Sequence, residues 1–284
     1  MSCVESQELP PDTEIGRVSL AAKDRDLLKE YYHHIVGLSV TDRAPDKTVF
    51  GDRTTAILEL TTPDTTTPSA RQSAGLFHLA IRVPDREQLA ARLRAIENHT
   101  QLAGASDHGV SEALYLRDPE GNGVEIYRDR ERTAWPRSDD GALYIPSYPL
   151  DLDSLRSMDV PASTAMHSAD IGHIHLNVTD IEQSRRFYRD VVGFPIQFEA
   201  APGAVFFGAG GYHHHLAINV WNKRTEPYDG AGLNWFELRV DSQDDIARLT
   251  ERLEANETSI KTIEGGIQFE DPDGIPLRCT ARDA

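Results

Sequence analysis

The sequence predicts an α+β fold: four βαβββ modules, paired into two open eight-stranded barrels with helices outside. Three observations predict it. IGRVSL at 15–20 recurs as IGHIHL at 171–176, and Tyr31-Tyr32 with Ile35-Val36-Gly37-Leu38 recurs as Phe187-Tyr188 with Val191-Val192-Gly193-Phe194, at a constant offset of 156. GLFHLAIRV at 75–83 recurs as GLNWFELRV at 232–240, at an offset of 157. Each of the latter pair runs into a helix-like stretch, EQLAARLRAIE or DDIARLTERLE, and then a DPEG (118–121) or DPDG (271–274) turn, where Pro and Gly preset a reversal.

The elements follow in chain order. Residues 1–13, acidic and polar with no signal-peptide core, read as a disordered tail. Residues 14–128 hold modules one (14–62) and two (75–128), and residues 170–281 hold modules three (170–222) and four (231–281). Every module opens on an alternating strand. In module three, Ile174, Leu176 and Val178 share one face, while His173, His175 and Asn177 share the other. An amphipathic helix follows, and several short strands return. The Pro-, Ser- and Asp-rich stretch 129–169 is a linker, and 61–74 is a shorter connection; neither looks catalytic. One module cannot bury its sheet alone. Two together curve into an open barrel whose outward face packs on helices and whose inward face lines a cavity.

Composition narrows the function. The 284 residues suit two domains. There are 29 basic against 46 acidic residues, a net charge of −17, which disfavours nucleic acid as a partner. Only five residues are lysines (23, 29, 47, 223 and 261), a pattern suited to a salty interior where screening tames self-repulsion. No apolar run is long enough to span a membrane. Two cysteines, Cys3 and Cys279, make a disulfide framework unexpected and fit a reducing cytoplasm.

The strand-start histidines His78 and His173, FYRDVVGF at 187–194, DPEGNGVEIY at 118–127 and GGYHHHLAINVW at 210–221 resemble the vicinal oxygen chelate superfamily, which includes glyoxalases, thiol transferases and extradiol dioxygenases. The combination is most similar to the two-domain catechol 2,3-dioxygenases. The resemblance covers nearly all of 15–281. It implies metal ligands at two places per module: near the start of the first strand, and in the last strand after the DPxG turn. The first place holds Arg17, His78, His173 and Trp235, each five residues before a strand apolar residue (Ala22, Val83, Val178, Val240). The second holds Glu125 in module two and Arg278 in module four. His78, His173 and Glu125 are therefore the candidate ligands, a set favoured by oxygen-using Fe(II), with Mn(II) accepting the same donors. For the three to converge, modules two and three must form one barrel, and one and four the other. A tandem pairing would separate His173 from its partners and call on another carboxylate, such as Glu59.

Extradiol cleavage also needs a proton acceptor and donor. Strand parity puts His213, His215 and Asn219 on the cavity face, whereas the resemblance points to His214, two residues before Leu216; a bulge could reconcile them. Both His214 and His215 are candidates. By the resemblance, Tyr115, ten residues before Glu125, hydrogen-bonds the substrate. His175, His108 and Asn219 are candidates for the substrate side of the cavity, His108 on the weakest match because the family's histidine sits nearer 103–106. His33, His34, His99 and His167 read as solvated. The expected activity is extradiol cleavage of catechol or a substituted catechol with O2; the edge strands and broad barrel surface are compatible with a homo-oligomer, and the oligomeric state stays open. The rivals are another metalloenzyme of the superfamily, a lyase or thiol transferase, and a metal-free aromatic-binding protein.

Overall fold

The computed structural model describes residues 8–51, 55–63, 72–160, 166–200 and 203–282. They form a mixed α+β fold of two curled sheets. One sheet has eight strands, in the order Lys261–Ile263, Gly266–Glu270, Pro276–Ala281, Leu233–Val240, Glu14–Ala21, Ala56–Thr61, Lys47–Gly51, Ser39–Arg43. It joins module four to module one. The other joins module three to module two: Ile196–Ala200, Ala204–Phe207, Leu216–Asn219, Asp170–Asn177, Gly75–Arg82, Gly123–Asp129, Ser111–Arg117, Gly104–Asp107, and a ninth strand, Tyr148–Pro149, supplied by the linker. In both sheets the opening strands of the two modules run antiparallel at the centre. Each module's last strand lies parallel to its own first strand.

The helices obey a different pairing. Helix Arg25–Glu30 continues as a π-helical turn, Tyr31–Val36, closed by Gly37 at φ 93°, and Ile181–Arg186 continues as Phe187–Val192, closed by Gly193 at φ 94°. The longer helices, Arg86–His99 and Gln243–Ala255, start on Asp85 and Ser242 caps. Arg92 donates to the Val36 carbonyl, and Arg252 donates to the carbonyls of Val191 and Val192, satisfying the ends of the π turns. Tyr32 donates its hydroxyl to Asp118, and Tyr188 to Asp271, the first residues of the two DPxG turns. Thus the sheets cross-pair the modules while the helix layer ties one to two and three to four, and one hydrophobic core runs through all four.

Two segments differ from expectation. Residues 8–13 are docked rather than free: Leu9 is buried in the hydrophobic core and its N–H donates to Gly193 O, the cap of the Phe187–Val192 turn. Residues 1–7 lie outside the described residues. The linker also holds order, with a 3-10 turn at Arg132–Ala134 and a short helix at Leu152–Arg156.

Candidate metal centre and its cavity

Three adjacent central strands of the nine-stranded sheet build the site. His173 lies opposite Ala80, and Ala80 lies beside Glu125 on the next strand. The small Ala80 leaves room for the two longer side chains to meet above it. His78, two residues earlier on the middle strand, completes a triangle. His78 Nε2 is 2.9 Å from Glu125 Oε2, His173 Nε2 is 3.2 Å from the same oxygen, and the two Nε2 atoms are 3.2 Å apart. All three residues are buried. Among the described residues this is the single group of three or more His, Cys, Asp or Glu side chains close enough to share a metal ion.

The electrostatics suit metal ligation. Burial alone would raise the Glu125 carboxyl, but the imidazoles of His173 and His78 outweigh it and hold that carboxyl well below its usual range. Burial pushes His173 down to about 4, against the opposing pull of Glu125. At neutral pH the set is a carboxylate and an unprotonated His173 ring, the states a cation requires.

The triangle forms the floor of a cavity of about 440 Å³. Phe77, Phe198, Phe206 and Trp221 wall it with aromatic faces, and Ile145, Pro146 and Ser147 of the linker close one side. The stretch 129–169 therefore contributes to the cavity, contrary to its reading as a bare connector; composition carried no signal of this, because the contact is made by tertiary packing. Tyr115 faces Glu125 across the strand pair, and burial, then Glu125, raises its hydroxyl well above the usual range. His108 reaches the same spot from the turn beyond Gly104–Asp107. Its Nδ1 is 2.8 Å from the Pro146 carbonyl and its Nε2 is 2.8 Å from the Tyr115 hydroxyl. A carbonyl can only accept, so Nδ1 carries the proton, Nε2 accepts from Tyr115, and the Tyr115 oxygen keeps lone pairs free for the cavity.

The three consecutive histidines separate. The strand begins only at Leu216, so His213–His215 lie on the loop that follows the glycines and strand parity does not govern them. His214 lines the cavity, with its ring 4.1 Å from that of His173. His215 does not: it accepts from the Ala209 N–H through Nδ1, stacks near Phe194, and borders a separate cleft with Arg82 and Gly172. His213 is fully buried and binds Asp129. His175 lines the cavity beside His78, and Asn219 donates to its Nε2 at 2.9 Å. Asn219 itself is buried behind His175 rather than exposed to the cavity, because its amide is also bonded to Leu176 O and the Trp221 N–H. His33 bonds Leu38 O, His34 pairs with Glu30, and His167 meets Gln88.

At the matching places of the other sheet, Arg17 pairs with Glu59 at 3.5 Å, and the Arg278 guanidinium lies 3.9 Å from the Trp235 ring centroid. Guanidinium groups fill that barrel where the first holds its donor triangle. The sequence reading overlooked Asp129 and set His213 on the cavity face, whereas His213 lies behind His214 against Asp129. Asp129 shares its strand face with Glu125 and Tyr127, a parity that could have flagged it.

Comparison with known proteins agrees with this architecture. The model of the Glyoxalase/Bleomycin resistance protein/Dioxygenase superfamily matches residues 14–126 and again 170–278. The chain is 35% identical over 270 residues to the catechol-2,3-dioxygenase of Bacillus subtilis (strain 168), covering 92% of this chain and 94% of that one. A crystal structure from Bacillus subtilis subsp. subtilis str. 168 superposes with a TM-score of 0.65 at 12% identity, over 98% of this chain and 87% of the other. Glyoxalase I of Zea mays does so with a TM-score of 0.59 at 15% identity, over 95% and 92%. At such identities these two speak for the fold alone.

Proposed function

The chain belongs to the glyoxalase/bleomycin resistance protein/dioxygenase superfamily, and on that premise we propose that it is a non-haem Fe(II) extradiol dioxygenase, opening the ring of catechol or a substituted catechol beside its hydroxyls. The observation that carries the reading is the triangle of His78, His173 and Glu125 at the floor of an aromatic cavity. For metal–ligand bonds of about 2.1 Å, neighbouring octahedral positions are roughly 3.0 Å apart. Donor spacings of 2.9, 3.2 and 3.2 Å fit that demand. Two imidazoles and one carboxylate on one side of the ion leave positions for other ligands, which suits Fe(II) and would admit Mn(II).

When bound, Fe(II) lowers the phenolic pKa of the diol and offers one centre at which diol and dioxygen meet. The protein supplies the rest. His78, His173 and Glu125 hold the ion. The Tyr115 oxygen, its own proton given to His108, accepts from a substrate hydroxyl. His214 takes the remaining hydroxyl proton and returns it to the opened ring. The Phe77, Phe198, Phe206 and Trp221 walls hold an aromatic ring and keep water out. A lyase or thiol transferase reading is less well supported, since the fourth matching place in this sheet, beside His175 on the last strand of module three, carries Ala217 rather than a further carboxylate. The test is anaerobic loading with Fe(II), followed by air and catechol. A yellow ring-opened product with matching oxygen uptake is the expected result, and loaded protein that consumes neither oxygen nor catechol would overturn the proposal.

A further inference from the structure

Behind His214, a line of polar side chains runs away from the cavity. His214 Nδ1 is 2.8 Å from His213 Nδ1, and His213 Nε2 is 2.7 Å from Asp129 Oδ1. The Asp129 carboxylate also accepts from the Tyr212 hydroxyl at 2.9 Å and from Arg82 Nη1 at 3.2 Å. His213 has no exposure, and its ring lies between those of Tyr212, at 4.1 Å, and Trp135, at 5.2 Å.

With the His213 ring neutral, the donors and acceptors along this line follow one after another. A carboxylate facing a guanidinium can only accept, so His213 Nε2 carries a proton. A neutral His213 ring then has a bare Nδ1. The short Nδ1–Nδ1 contact needs one proton, and His214 must supply it. A neutral His214 protonated at Nδ1 has its lone pair on Nε2, the nitrogen left for the cavity. From these bonds we infer that Asp129 and His213 are positioning residues: acting in series, they hold His214 in the tautomer whose Nε2 is a free acceptor, the form a general base requires. The same logic operates wherever a buried carboxylate fixes the tautomer of a catalytic imidazole. The inference rests on the proposed role of His214, but its tautomer can be read independently of turnover.

Asp129→Asn is the informative change. Arg82 and Tyr212 remain as donors to position 129, so the amide turns its oxygen toward them and its NH2 toward His213. Both histidine bonds then reverse, and His214 carries its proton on Nε2. In 15N-histidine-labelled protein loaded with diamagnetic Zn(II), and assigned with His214→Gln, wild-type His214 is expected to show a protonated Nδ1 and a bare Nε2, with the pattern exchanged in Asp129→Asn. With Fe(II) and catechol, kcat is expected to fall on the order of 100-fold, while KM and iron per chain stay near wild type. His213→Phe keeps the ring packing without nitrogens and breaks the same line. The double variant is expected to be no slower than His213→Phe alone, because Asp129 acts through His213. Should the Asn variant not fold, His213→Phe carries the test, with loss of the Nδ1–H signature. A wild-type His214 with a bare Nδ1, or additive losses in the double variant, would overturn the inference. Wild-type protein that turns over no catechol yet shows the stated nitrogen pattern would instead count against the dioxygenase reading and leave the relay standing.

Discussion

Gly123→Ala tests whether the spacing of two ligand-bearing strands sets the chemistry. Gly123 opens the strand that carries Glu125, and it abuts the neighbouring strand at His78. A Cβ there would lie 2.1 Å from the Phe77 carbonyl oxygen, 2.9 Å from His78 Cβ and 3.1 Å from His78 Cα, whereas ordinary contact begins near 3.4 Å. The two strands must part by about 1.3 Å, the difference between 3.4 and 2.1. Overpacking of this kind costs roughly 1–3 kcal/mol, which a core of this size survives with a Tm lowered by a few degrees. The site is far less tolerant. The donor triangle has edges of 2.9–3.2 Å, so a displacement of that order moves one ligand out of reach of the others. A misplacement of about 1 Å costs on the order of 100-fold in rate. The variant is therefore expected to fold, to hold iron weakly, and to lose about two orders of magnitude in kcat. Differential scanning calorimetry, iron analysis and catechol turnover on one preparation separate the effects. A folded variant with full iron and kcat within about twofold of wild type would refute the reasoning.

Other expectations concern single sites and conditions. His173→Ala should abolish iron binding and Glu59→Ala should leave it, since Glu59 lies in the other sheet against Arg17 and Ser19; iron lost from the Glu59 variant would contradict this. Burial holds His215 down to about 3, so the native ring stays neutral where the unfolded one, near 6.5, takes a proton. Its contribution is complete above 6.5 and is lost as pH falls toward 3, so His215→Gln should flatten the acid-side decline of urea midpoints, and an unchanged slope would count against it. Apart from histidines, Glu125 is the one charged residue among the described residues lining the cavity, so a ring bearing a carboxylate would be buried without a counter-charge. 4-Methylcatechol should exceed 3,4-dihydroxybenzoate in kcat/KM by at least about tenfold; equal values would refute a cavity without a counter-charge. With a net charge of −17, Tm should rise with KCl, and a flat melting series would remove the case for adaptation to salt.

Much of the site is written locally. The fourfold repeat sets His78 and His173 at equivalent strand starts, and the turn at Asp118 sets Glu125 seven residues on. Tyr115 is named by the resemblance, and the antiparallel pairing of its strand with the last strand of module two places it opposite Glu125. His214 was harder to assign, because parity holds only inside a strand and residues 213–215 precede one. Asn219 points where parity allows, yet its amide is consumed by His175 and backbone groups, a competition visible only with neighbours in place. His108 is held against Tyr115 by Pro146, in a stretch with no periodicity at all, whose carbonyl accepts the Nδ1 proton.

What the chain by itself determines is the module: alternation makes the strands, caps and apolar spacing make the helices, and Pro-Gly turns return the chain, because each depends on neighbours within a few residues. Which module completes which barrel is a separate matter. Every opening strand offers a similar edge, and both helix packing and sheet pairing can be satisfied in more than one way. The folded protein meets both demands at once, with helices joining one to two and three to four while sheets join one to four and two to three. That choice is made by long-range burial summed over the whole core, and it alone brings residues 95 positions apart, His78 and His173, within 3.2 Å of each other.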